Sequence, residues 1–309
     1  MPSDNDLHTM TIQRSFSGLY PIREFARLTG VNPATLRAWE RRYGIVQPQR
    51  TDKGHRFYND DDIKQVEHIL YWLDQGYPIR QVKLLLNNDI KSGLDNSNDE
   101  WQVQQQQLLD GIKNLNLSLL DSLWSEGLAN YPMAVYYQHC LMPVLFTLRQ
   151  YSHLHQQVFI QQFKRKLLNY IQHQQKHNQG DVLLLVANHV DAELELLAVA
   201  YALGAASFHI EYFGYELTPA DILQASEQLN CKKIWLHLSP GFQSDHQRWL
   251  SCINDSPQYR FFVSGTQASD TSPQHLHHLT GDFSERIKTY ITANGAHSDT
   301  PSELPRGQQ

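Results

Sequence analysis

The sequence predicts a multi-domain α plus α/β protein, with helices first and a Rossmann-like parallel sheet at the end. Three observations carry this. Short, well-capped helical segments fill residues 20–87, helical periodicity without strand-like alternation runs from about 101 to 176, and apolar strand candidates alternate with helices from 181. The 309 residues are enough for two or three compact domains.

The first segment, PIREFARLTG, has Pro21 suited to a first helical turn and Gly30 suited to a stop. PATLRAWERRYG follows, with Asn32 as a plausible N-cap, Pro33 in the first turn and Gly44 as the closing residue. Two short helices joined by TGVN describe a helix-turn-helix. IVQPQR and HRFY flank the turn-rich TDKG and predict a small hairpin. In NDDDIKQVEHILYWLDQGY, Asn59 and three aspartates stand where a helix dipole favours them, and Ile63, Val66, Ile69, Leu70 and Leu73 recur at helical spacing. PIRQVKLLLN is a further short helix.

The polar run NDIKSGLDNSNDE reads as a linker. Domain boundaries are therefore expected at 1–18 (flexible N-terminus), 19–88 (helix-turn-helix with hairpin), 89–100 (linker), 101–178 (helical bundle), 179–292 (α/β domain) and 293–309 (disordered tail). The strand candidates are DVLLLVA, SFHIEYFG, KKIWLHLS and YRFFVSG.

Charge narrows the function. The chain carries −6 overall, yet residues 20–58 hold eight Arg or Lys against three acids. A basic island on an acidic protein predicts a localised anionic partner. Thr35, Arg37, Trp39, Arg41 and Arg42 lie on the second helix, and Arg37 and Arg41 share a face, four residues apart. A helix so placed reads phosphates and base edges in the major groove, with Trp39 partly in the core. Arg50, Lys53, His55 and Arg56 on the hairpin would reach a neighbouring backbone or the minor groove. Paired half-sites require dimers, so double-stranded promoter DNA and a homodimer or higher homo-oligomer are the expected partners. RNA polymerase or a regulatory protein is a further candidate.

Other classes find no support. No apolar run approaches a membrane span, and the first residues lack a secretory pattern. Cys140, Cys231 and Cys252 are odd in number and far apart, which argues against a disulfide framework and predicts a cytoplasmic protein. There is no P-loop, no G-x-G-x-x-G after a strand and no nucleophile elbow, so no enzyme is expected. His139 beside Cys140, the pair His173 and His177, and the expected loop cluster His275, His277 and His278 are read as non-ligating, so no metal is expected.

The ordered set PIREFARLTGVNPATLRAWERRYGIVQPQRTDKGHRFYNDDDI resembles the DNA-binding domain of the MerR superfamily of winged-helix regulators, over residues 19–88. That resemblance implies operator contacts by Arg37, Arg41, Arg42 and Tyr43 from the recognition helix, and by Arg50, His55, Arg56 and Tyr58 from or near the wing. Pro33, Leu36 and Ile63 would be structural.

The remainder resembles the light-responsive cobalamin-binding repressors within that superfamily, in which a four-helix bundle caps cobalamin against a Rossmann-like domain. Their pattern is Trp, nine residues, then Glu-His in the bundle. After the first α/β strand comes Glu/Asp-x-His-x-x-Gly, whose His ligates cobalt, and Ser and Gly-Gly turns then hold the nucleotide tail. Here Tyr151 takes the Trp position, and Gln161 and Gln162 take the Glu-His positions. Val190, Ala192 and Glu195 take the acid, His and Gly positions; Ser239 and Gly265 are retained, with Ser264 for the first glycine. Ala192 cannot ligate cobalt, and Glu195 adds bulk and charge where backbone must approach the cofactor. The expectation is a regulator without cobalamin of the usual kind, its C-terminal half serving oligomerisation, another ligand or a partner protein. The alternative is a cobalamin-dependent light sensor with a non-standard ligand set. His189, three residues before Ala192, is read as a turn residue.

Overall fold

The computed structural model describes residues 19–86, 97–176, 178, 181–239, 243–265 and 273–295. The N-terminal unit opens with a short strand, β1 (Tyr20–Pro21), then α1 (Ile22–Thr29), which Gly30 ends with φ 69°. Helix α2 (Pro33–Ala38) continues through one wider turn, Trp39–Tyr43, to Gly44 at φ 64°. These caps are the expected ones: the Asn32 side chain accepts from the Ala34 N–H at 2.8 Å, and the left-handed residue at each stop is glycine, which has no Cβ to strain. The hairpin pairs β2 (Gln49–Arg50) with β3 (Arg56–Tyr58), and β1 adds to the other side of β3. Pro21 thus ends a strand and caps α1 rather than occupying its first turn. Helix α3 (Asp60–Asp74) begins in a reciprocal capping box between Asn59 and Asp62, and α4 (Ile79–Leu86) follows.

Four helical segments make the middle: α5 (Ser97–Lys113), α6 (Leu117–Asn130), α7 and α8 (His153–Gln175). Segment α7 runs through Met133–Tyr136, a wide turn Tyr137–Leu141 and Met142–Leu148. Helix α5 begins inside the stretch read as a linker. Phe159, Phe163, Leu167 and Ile171 place one buried row along α8, four residues apart, and Trp124 of α6 packs edge-on against Phe159 at 5.2 Å. Gly127 lets α6 approach α7: a Cβ there would stand 2.3 Å from the Tyr136 ring.

The C-terminal sheet is wholly parallel, in the order β5-β4-β6-β7-β8. Its strands are β4 (Val182–Ala187), β5 (His209–Gly214), β6 (Lys233–His237), β7 (Arg260–Ser264) and β8 (Leu276–Leu279). Four match the expected strands. The fifth is a correction, since His277 and His278, expected in a loop, lie in β8, where His277 stacks on Phe262 at 5.1 Å. Helices α9 (Glu193–Ala205), α10 (Pro219–Gln228), α11 (Gln243–Asn254) and α12 (Phe283–Gly295) complete the layers.

Residues of β4 divide by parity. Leu183, Leu185 and Ala187 join a core that runs through the bundle to Trp39 and Phe25, whereas Leu184 and Val186 join a separate core on the opposite face. Helix α9 is buried at Leu194 and from Leu196 to Ala205, where it is apolar all round, and packs against α8, α7, β4 and β5.

Candidate nucleic-acid interface and effector cleft

The recognition helix has two functional sides. Arg37 and Arg41 are exposed together on the outer one. The inner side carries Thr35, Trp39 and Arg42 at i, i+4 and i+7, and meets the end of α6. There the Thr35 hydroxyl donates to the Leu128 carbonyl at 3.5 Å, and Trp39 Nε1 donates to the Asn130 carbonyl at 2.7 Å. An Arg42 guanidinium nitrogen donates to Asn130 Oδ1 at 2.8 Å. Thr35 and Trp39 are fully buried, so Thr35, expected at the operator, and Trp39, expected there but partly in the core, both belong to the packing between the first two units. A Trp that hydrogen-bonds a helix-end carbonyl satisfies both groups out of water.

The wing is held to this helix by Glu40. Its carboxylate receives Arg50 at 2.5 Å and Arg56 Nε at 2.6 Å. Burial raises the Glu40 carboxyl, but the two guanidinium groups outweigh it and leave the group below its ordinary value. Lys53 and His55 remain exposed beyond the clamp, on either side of Gly54, which turns the hairpin at φ 79°. Tyr58 faces the other way. It is fully buried and stacks on Phe25 at 4.0 Å between centroids, and burial pushes its hydroxyl up to about 12. Tyr43 is half-buried and lines a pocket of 380 Å³ with Arg80, Glu100, Glu126 and Tyr131. The structure therefore gathers Arg37, Arg41, Arg42, Arg50, Lys53, His55 and Arg56 on accessible surface, and turns Thr35, Trp39 and Tyr58 inward.

A second concavity, of 560 Å³, lies between α7, α8 and the turn before α9. Of the positions aligned with a cofactor pattern, Gln161, Val190 and Glu195 line it. Tyr151, half-buried, meets His155 edge-on at 6.1 Å, and Gln162 is half-buried; neither lines the cleft. Ala192 is buried, with only a methyl group to offer. Two of the cleft's acids are paired: Lys164 pairs with Glu193, and Glu195 receives Arg286 at 2.6 Å with His237 Nδ1 at 3.6 Å, while Arg149 on its lining is exposed. Burial keeps the His237 ring below the usual imidazole range, against the pull of Glu195. Asp191 N–H points to His189 Nδ1 at 3.3 Å, and the Asp191 carboxylate stands 3.2 Å from the same nitrogen, so the ring caps this turn.

At the strand ends, Ser264 Oγ accepts from Trp235 Nε1 at 3.0 Å and meets His237 Nδ1 at the same distance. Ser239 is buried, its N–H bound to Asn188 Oδ1 at 2.7 Å. Gly265 sits at φ 84°, where a Cβ would stand 2.2 Å from the Leu238 carbonyl oxygen. Burial pushes the Cys140 thiol up to about 12, and the neighbouring His139 stacks on Trp101 at 5.5 Å. His173 is exposed on α8, and His177 lies outside the described residues. Among the described residues no three His, Cys, Asp or Glu side chains are placed to hold a metal ion, and no helix is long and apolar enough to cross a membrane.

The inward hydrogen bonds through Asn130, the Glu40 clamp and the Arg286 partner of Glu195 escape sequence reasoning. Each joins residues distant in the chain or, for Glu40, residues that a charge count treats as separate. A lone Asn before Tyr-Pro carries no pattern of its own.

Residues 20–89 match the family described as "MerR HTH family regulatory protein". The HTH-type transcriptional regulator MlrA of Escherichia coli (strain K12) is 41% identical over 129 residues, covering 41% of this chain and 50% of that protein. The HTH-type transcriptional repressor CarH of Myxococcus xanthus is 40% identical over 67 residues, 22% of each chain. The chain thus spans about half the length of the MlrA protein it matches. A solved structure, that of the Methanosarcina barkeri monomethylamine corrinoid protein, aligns with 62% of this chain and 99% of its own at 15% identity and a TM-score of 0.45. The capped, winged geometry of residues 20–86 falls within this match, and the matched residues are a MerR-type helix-turn-helix domain.

Proposed function

We propose that the chain is a transcriptional regulator that binds double-stranded promoter DNA as a dimer, and that its C-terminal half works without cobalamin ligation of the usual kind. The exposed Arg37–Arg41 pair on a helix fixed from behind carries the first part. Two cations one turn apart, with Lys53 and His55 at the wing tip, suit a phosphate backbone and its groove. Both named relatives are transcription factors, which favours the same reading. Recovery of bound fragments from random-sequence double-stranded DNA tests it; a two-fold motif is expected, and no enrichment above the starting pool would contradict it.

The second part rests on a poor fit. The position that would face cobalt carries a buried methyl group, Ala192. Glu195, where a glycine would admit the cofactor, is engaged by Arg286, and Ser264 is engaged by Trp235 and His237. His189 is occupied in capping its own turn. The cleft keeps its volume, which leaves room for another small ligand, and this sustains the second reading of cobalamin on a non-standard ligand set. Purification with adenosylcobalamin separates the two: the protein is expected to emerge colourless, whereas a stoichiometric red complex would establish the second reading.

A further inference from the structure

The recognition helix is not a free reading head. Its inner stripe is bound to the last residues of α6, and only one of the three side chains there is also needed outside. Thr35 and Trp39 are committed to the interior, but Arg42 is an exposed cation whose guanidinium is held by the buried amide of Asn130. The opening beside it is lined by Tyr43, Arg80, Lys83 and Glu126, so Arg42 has two like charges and one carboxylate for company. At the other end of the helix, the N-cap Asn32 and Tyr201 of α9 line one small cavity. The bundle and the α/β unit therefore both adjoin the helix that faces DNA.

We infer that Asn130 is a positioning residue for DNA recognition, an intramolecular competitor that holds Arg42 until an operator phosphate replaces it. The inference rests on the DNA-binding function proposed above. A phosphate oxygen is anionic and the Asn130 oxygen neutral, so the guanidinium gains by the exchange, while the buried amide is left without its donor. The exchange couples DNA affinity to the bundle. Any displacement of the α6 end that strengthens or weakens the Asn130 contact changes how readily Arg42 is released. Trp39 is not part of the exchange, because its bond goes to the Asn130 backbone carbonyl and survives any side-chain change.

The test measures affinity and salt dependence of the full chain on double-stranded DNA recovered by selection. Asn130→Ala is expected to bind about three- to tenfold tighter, since Arg42 is no longer held. Asn130→Asp is expected to bind weaker than wild type, because a carboxylate competes better than an amide. Arg42→Ala is expected to lower the salt slope by about 0.9 and to erase the effect of Asn130→Ala in the double variant. Opposite signs for the Ala and Asp variants distinguish release from misfolding, which would weaken both. Unchanged or weaker binding by Asn130→Ala, or an effect that persists without Arg42, would overturn the inference. Failure of wild type to bind any double-stranded DNA would instead overturn the DNA-binding function itself.

Discussion

The winged helix-turn-helix and the cleft between bundle and α/β unit treat their polar residues in opposite ways. At the recognition helix, Arg37 and Arg41 face outward, and the residues behind them exist to hold that pose: Trp39 is anchored to Asn130, and Glu40 gathers Arg50 and Arg56. In the cleft every charge named at a cofactor-aligned position has found a partner within the chain, as Glu195 has in Arg286. One region leaves Arg37 and Arg41 on the surface, and the other has closed Glu193 and Glu195 on Lys164 and Arg286. A surface that leaves two arginines exposed one turn apart and a cleft whose partly buried acids are ion-paired thus differ without any bound molecule.

The contrast can be broken most severely at Trp39. If its inner face is core, Trp39→Ala should cost about 3–5 kcal/mol in urea unfolding, from the cavity and the orphaned Asn130 carbonyl together. A loss below about 1 kcal/mol would mean that the seam is a loose surface contact. Next in size is Gly265→Ala. Its Cβ would meet a backbone carbonyl at 2.2 Å at a positive φ, so at least about 2 kcal/mol should be lost in the same assay. A neutral result would show that this turn has room for a bulkier residue.

Glu40→Gln sharpens the other side. Its two ion pairs are partly exposed, so the expected destabilisation is about 1–2 kcal/mol at neutral pH. Because the folded carboxyl lies below its unfolded value of about 4.5, its contribution should be full above that value and vanish as the pH falls through the folded one. Wild type and variant should therefore converge in acid; a gap that persists there would remove the charge from the explanation. The smallest expected change is in Ala192→His. Ala192 is buried and does not line the cleft, so no space is prepared there for an imidazole and the visible spectrum after incubation with adenosylcobalamin should match wild type. Appearance of a red complex would show that the cleft lacks only its ligand.

Local chemistry made the first region legible from sequence. Asn32, Pro33, Gly44 and Asn59 are caps and stops whose roles depend on a few neighbouring residues, and the structure uses each of them so. Four strands were equally plain, because a buried parallel strand is a continuous apolar run. The edge strand β8 was not, since LHHL is short and half polar and, among the described residues, pairs with β7 alone. Tyr58 ends a three-residue strand, too short for alternation to reveal that it turns onto Phe25, and the inward turn of Thr35 was hidden for a different reason. A helix-turn-helix pattern says which residues share a helix, but which stripe faces inward depends on what the next domain packs against it. In the cleft, the replacements Ala192 and Glu195 were readable from the pattern they interrupt. The partner of Glu195 was not, because Arg286 lies 91 residues further on.

The most direct test of the central claim, that the exposed Arg37–Arg41 face reads DNA, is selection from random-sequence double-stranded DNA with wild type and with Arg37→Ala/Arg41→Ala. Wild type should enrich a two-fold motif, and the double variant should enrich none while eluting at the same oligomer size. Recovery of the same motif by both proteins would contradict the account.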